Sequence, residues 1–259
     1  MFHVSRDVIF SADDFGQSAL ANKNILRLVR AGKIQRVSVM AEGKFTKEEV
    51  KELLHSKVKL DVHLTLPLTT GNWELAIGNW GQEKRNETTN HPSYQPSTIN
   101  PPSPVTNDQL LVTNTISRLF NFFRLYFSGH IRSRKIIISW SSQIEKFQKI
   151  FGSWPDGLNS HENTHFFPPY FKIALKLCQK YKIRHLRFGS KGILTSQNLI
   201  GWILKVLNNI NRKSFTSYQL LVTSYSFLTS SDWIKDKNKF LKNLPAGTVE
   251  IVLHPERKG

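Results

Sequence analysis

The chain has one cysteine in 259 residues, Cys178. An internal disulfide is therefore excluded, and the setting Ile173-Ala174-Leu175-Lys176-Leu177-Cys178 suits a buried, inert thiol on the apolar face of a helix. No window approaches the roughly eighteen consecutive apolar residues of a membrane span. The N-terminal Met1-Phe2-His3-Val4-Ser5-Arg6 runs into the first strand without a signal-peptide core, so a cytoplasmic location is expected. Acids are scarce: 19 Asp and Glu face 36 Lys and Arg, for a net charge of +17. From Lys172 to Lys191 there are seven basic residues and no acid, and from Arg118 to Lys149 only Glu145 opposes a second basic excess. Such a field attracts polyanions, anionic lipid headgroups or phosphorylated substrates without choosing among them. Neither an internal repeat nor a known nucleic-acid motif is present, and no specific nucleic acid is expected as partner. The competing class is a non-catalytic barrel that holds an anionic polymer, nucleic acid or acidic glycan, by charge alone.

The apolar run Val8-Ile9-Phe10 ends in Ser11-Ala12-Asp13-Asp14-Phe15-Gly16 and reads as a buried parallel strand with two carboxylates at its tip. Ser18 to Ala31 predicts a helix with Leu20, Ile25, Leu28 and Val29 at helical spacing, stopped by Gly32. Val37–Met40 predicts a strand. Thr46 with Glu49 forms a capping box for a helix to His55. Val58–Leu66 alternates as a third strand and carries His63. The β-α-β-α-β order implies a parallel sheet with right-handed crossovers. Residues 67–106, rich in Gly, Asn, Ser and Pro, predict a loop insertion. Residues 107–152 predict a helical, lid-like segment, with one helix from Asn107 or Asp108 to Tyr126 and another over Ile136–Phe151. The alternation resumes with a strand at Asp156–His161, a helix at Pro168–Tyr181, a short strand at His185–Phe188 and a helix at Leu199–Ile210 carrying Ile200, Ile203, Leu204 and Leu207. Tyr218–Tyr225 fits strand or helix. Asp232–Leu244 predicts a helix and Val249–His254 the last strand. One catalytic domain over 1–259 accommodates the whole series.

In parallel α/β folds functional groups collect where the strands end. Four predicted strands end in Asp13-Asp14, His63, His161 and His254. Carboxylate and imidazole together form a ligand set for Zn²⁺ or a neighbouring divalent ion with open positions. Two adjacent aspartates suit a divided task, one binding metal and the other accepting a proton from water.

In order along the chain, Ser11-Ala12-Asp13-Asp14-Phe15-Gly16, Asp61-Val62-His63-Leu64-Thr65-Leu66, Pro155-Asp156-Gly157-Leu158-Asn159-Ser160-His161 with His165 and Pro168 after it, and Glu250-Ile251-Val252-Leu253-His254-Pro255 resemble the successive motifs of the YdjC-type carbohydrate deacetylases. That family includes chitooligosaccharide deacetylases and relatives associated with hopanoid biosynthesis. The resemblance implies an α/β fold, a (β/α) barrel-like domain related to polysaccharide deacetylases with a long loop insertion after the third strand. It also implies a divalent metal cofactor, Zn or Mg, and removal of an N-acetyl group from an amino sugar, glycan or glycolipid. Asp14, His63 and His161 would bind metal, Asp13 would be the general base and His254 the general acid. Asn163 stands where the family often has a histidine, and His165 is either a ligand or a supporting partner. The aromatic, arginine-flanked Phe122–Phe127 is a candidate contact for a sugar ring or an anionic membrane surface.

Overall fold

In a computed structural model, which describes residues 6–66, 133–195 and 198–256, parallel strands close into a barrel in sequence order. They are β1 (Arg6–Phe15), β2 (Arg36–Val39), β3 (Lys59–Leu64), β4 (Gly157–Ser160), β5 (His185–Ile193), β6 (Thr223–Ser230) and β7 (Gly247–Leu253). β7 pairs back onto β1 along Arg6↔Gly247 to Ala12↔Leu253, which closes the ring. The helices described are α1 (Ala19–Arg30), α2 (Lys47–His55), α3 (Ser133–Phe151), α4 (Pro168–Tyr181), α5 (Leu199–Thr216) and α6 (Lys237–Lys242). None of the described helices is long and apolar enough to cross a membrane. The loop expected over 67–106 and the helix expected over 107–126 lie outside the described residues, as does Phe122–Phe127.

Local sequence explains most boundaries. Ser18 caps α1 by accepting from the Ala21 amide at 3.0 Å. Thr46 and Glu49 form the reciprocal box that starts α2, worth about 1 kcal/mol. α3 is the crossover between β3 and β4, and its buried Gln143 bonds both the amide and the carbonyl of Thr65, clamping the chain where it leaves β3. α4 spans Pro168–Tyr181 as the sequence predicts, with proline in its first turn and Lys182 in the left-handed conformation at its end. Cys178 lies on its buried face, where burial pushes the thiol pKa up and keeps it inert.

Four expectations change. Leu20 is exposed, and Leu26 takes its place on the inner face of α1. Ile200 is likewise exposed on α5, which extends to Thr216. The ambiguous segment after Tyr218 is a strand, although it begins only at Thr223. Asp232–Leu244 is not one helix: a 3₁₀ turn at Ser231–Trp233 and the short α6 divide it, with Ser230 and Asp236 each capping a new start.

The alternation of β3 has a different meaning from that of an open sheet. Lys59 is exposed, but every residue from Leu60 to Leu64 is buried. Leu60, Val62 and Leu64 form part of the apolar core, while Asp61 and His63 face groups inside the barrel. Arg36 on β2 pairs with Asp61 and reaches Tyr225 on β6 at 3.3 Å. Arg187 on β5 pairs with Asp13 on β1. Neither β2 and β6 nor β5 and β1 are neighbours, so both contacts cross the lumen. The interior is thus a column of ion pairs, and Gly157 leaves room for it: a Cβ there would strike Asp61 and Arg36.

Candidate metal centre and its buried arginine

A bulge in β1 sets the geometry. Ala12 pairs with Val37 and Phe15 with Val39, so β1 advances three residues where β2 advances two. In an unbroken pleat Asp13 and Asp14 would point to opposite faces. The extra residue, with Asp14 at φ 74°, instead buries both carboxylates. Aspartate tolerates this left-handed conformation better than most side chains. Gly16, at φ 98°, then turns the chain, and its amide is held by Asn22 Oδ1 at 2.7 Å.

Asp14 Oδ1 lies 2.9 Å from His161 Nδ1 and 3.2 Å from His63 Nε2. One potential ligand atom from each of the three residues falls within 4.8 Å of the others. The tautomer of His63 follows from its support. Asn159 Nδ2 donates to Ser38 Oγ at 2.8 Å, so Asn159 Oδ1 faces His63 and accepts from Nδ1–H. Nε2 keeps its lone pair, and it is buried without a hydrogen-bond partner. A buried, unprotonated imidazole nitrogen beside a carboxylate and a second imidazole fits a divalent ion, and this group could bind a metal. Burial opposes ionisation of Asp14, but the hydrogen bond from His161 and the neighbouring imidazoles outweigh it and hold the carboxyl well below its usual range. Burial similarly opposes the charged form of His161, and the bond to Asp14 overcomes it to raise the pKa.

Asp13 is gripped by Arg187, whose Nη1 and Nη2 donate to its two oxygens at 2.6 and 2.8 Å. Arg187 Nε donates to Glu250 Oε1 at 3.0 Å, and the same oxygen accepts from Ser11 Oγ at 2.7 Å. Burial works against the Asp13 carboxylate, yet the fixed positive charge of Arg187 holds its pKa far below the normal range. His254 follows Leu253, which pairs with Ala12, so His254 and Asp13 are the next residues on adjacent strands. Its Nδ1 lies 2.9 Å from Asp232 Oδ2.

His165 has no nitrogen left for a ligand role. Nδ1 meets Ser160 Oγ at 2.7 Å and Nε2 meets the carbonyl of Arg187 at 2.9 Å. Burial pushes its pKa down to about 3. It therefore supports the strand that carries Arg187. Between His161 and His165, Glu162 and Asn163 both adopt left-handed backbone, which folds the chain tightly behind His161.

The sequence reasoning missed Arg187 as a site residue and counted it with the surface charge, whereas it is only 1% exposed. Parity was the available signal. In His185-Leu186-Arg187-Phe188 the polar residues alternate with apolar ones as Asp61 and His63 do in β3. In a closed barrel that parity marks the lumen.

Fold and site together define a parallel (β/α) barrel with a metal-competent Asp-His-His group at the carboxyl ends of its strands. The chain belongs to the YdjC-like protein family, whose profile matches residues 7–258. A crystal structure of an Enterococcus faecalis V583 protein, provisionally assigned to cellobiose-phosphate cleavage, is similar with a TM-score of 0.57 and 19% identity, over 98% of this chain and 82% of that one. At this identity the likeness establishes the fold. No curated protein matches the sequence.

Proposed function

We propose that the protein is a metal-dependent hydrolase that removes N-acetyl groups from an amino sugar, glycan or glycolipid. The observation that carries this reading is the meeting of Asp14, His63 and His161, from three separate strand ends, around one buried lone pair. These three would hold the ion, and two imidazoles in the set favour Zn²⁺ over Mg²⁺. When bound, the ion supplies Lewis acidity to the attacking water and to the amide carbonyl. Asp13 accepts the proton of that water. Arg187 keeps Asp13 ionised at every working pH but also makes it a weak base, which suits a water already acidified. His254, beside Asp13 and oriented by Asp232, protonates the departing amine. Membership of the YdjC-like family supports a carbohydrate-processing hydrolase, and the first motif supplies the divided pair of aspartates that amide hydrolysis needs.

The test is acetate release from a panel of N-acetylated sugars by the native protein, its chelator-treated form and Asp14→Ala. Release by the native protein alone, restored to the stripped form by added Zn²⁺, is expected. Equal behaviour of all three on every substrate would end the reading. Steeply salt-dependent polyanion binding without any acetate release would favour the non-catalytic alternative.

A further inference from the structure

α5 is built inside out. Its barrel-facing side carries Gly201, Leu204, Asn208, Asn211 and Phe215. The two asparagines are bonded to backbone: Asn208 to both the amide and the carbonyl of Gly189, and Asn211 to the Phe166 carbonyl at 2.6 Å. The opposite side is mostly apolar, with Leu199, Trp202, Val206 and Ile210 exposed among the described residues at 67, 61, 45 and 56% and Lys213 on the same side towards its end. At 3.6 residues per turn these four side chains fall within about 80° of arc, on a helix about 27 Å long. A helix packed on a barrel normally turns its apolar stripe inward and leaves polar residues in water.

Charge around the stripe has one sign. Residues 163–231 contain no Asp or Glu and ten Lys or Arg, all but the buried Arg187 outside the lumen. Lys205 and Arg212 flank the stripe on α5, and the neighbouring α4 exposes Lys172, Lys176 and Lys180. Leu220 and Leu221 extend the apolar surface beyond the end of α5. We propose that this outward face of α5, rimmed by the lysines of α4, docks the protein on the surface of an anionic phospholipid bilayer. Apolar side chains enter the acyl boundary while the cations meet lipid phosphates, as in interfacial amphipathic helices. A second copy of the chain fits the face poorly, because a symmetric contact would bring two lysine-rich rims of net positive charge together. In a (β/α) barrel the first turn of such a helix lies at the carboxyl end of the strands, so docking would hold the mouth of the site beside the bilayer. None of this depends on the reaction performed there.

Flotation with vesicles of phosphatidylcholine, alone or mixed with phosphatidylglycerol, tests the proposal on the full chain. Binding is expected only with phosphatidylglycerol, weakening as salt rises. Trp202→Glu with Ile210→Glu should reduce the partition coefficient by at least about tenfold with unchanged circular dichroism, and Lys176→Ser with Lys180→Ser should weaken the dependence on phosphatidylglycerol. Trp202→Ala with Ile210→Ala provides a second apolar-face variant without introduced charge. Hydrogen exchange should show protection of residues 199–221 on vesicles. Three results would overturn it: no binding at any lipid composition, binding that both apolar-face variants leave unchanged, or a solution dimer that Trp202→Glu dissociates.

Discussion

Replacing Arg187 with methionine should expose how far the buried column is a single coupled unit. The guanidinium is 1% exposed and makes two bonds to Asp13, one to Glu250 and one to Ser38 at 3.1 Å. Methionine fills similar volume, so little of the loss should come from a cavity. The loss should come instead from the Asp13 and Glu250 carboxylates, left in the lumen without their shared countercharge. Breaking one side of a buried pair costs about 3–5 kcal/mol. With a urea slope of about 2–3 kcal/mol/M, the midpoint should fall by about 1.5 M. Asp13→Asn combined with Arg187→Met should recover about 2 kcal/mol of the sum of the single losses, because one of the two charges that suffer is then absent while Glu250 remains. Arg187→Lys should restore part of the stability but not the two-pronged grip on Asp13. The measurements are urea titrations of the apoprotein followed by far-ultraviolet circular dichroism. A loss below about 1 kcal/mol for Arg187→Met, or strict additivity with Asp13→Asn, would refute the argument that this pair organises the lumen.

Three further outcomes follow from the same interior. Asn159→Ala removes the acceptor that fixes the His63 tautomer and should weaken Zn²⁺ binding about 10–100-fold in calorimetry, whereas an unchanged affinity would show that Asn159 does not orient the ring. Gly157→Ala should cost about 1–3 kcal/mol in thermal or urea melts, since the new methyl meets the Arg36–Asp61 pair; a neutral result would mean the pair shifts freely. His185, whose pKa burial first and then the Arg36 charge push down to about 4, stays neutral in the fold while the unfolded chain takes up a proton below about pH 6.5. Its contribution is therefore complete above pH 6.5 and lost as pH falls towards 4, by roughly 3 kcal/mol at about 1.4 kcal/mol per pKa unit. His185→Gln should flatten that part of the stability profile, and an unaltered slope would contradict the assignment.

The three residues that could hold a metal are legible in the sequence because each sits at a place where an apolar run stops. Asp14, His63 and His161 are all found by asking which strands end in a group that can bind a cation, and the ordered motifs linked those ends to one family. Thr46 with Glu49 and the Pro168–Tyr181 helix were legible for a similar reason, since caps and periodicity are local. Leu20, Ile200 and Asp232–Leu244 misled because helical spacing identifies an apolar side without saying which side the barrel covers or where a capping residue will restart the chain.

Most of the order of strands and helices, the residues of the candidate metal group and the excess of positive charge could be read from the chain alone, because they depend on neighbours within a few turns. That Asp13 and Asp14 are both buried comes from the folded sheet, because a bulge opposite β2 overrides the pleat. Closure alone placed Arg187 against Asp13, 174 residues away, and removed it from the solvent-facing charge. It also left the apolar side of α5 facing outward. A residue's parity along a strand or helix is written in the sequence, but whether that side meets lumen, shell or solvent depends on how the ring closes.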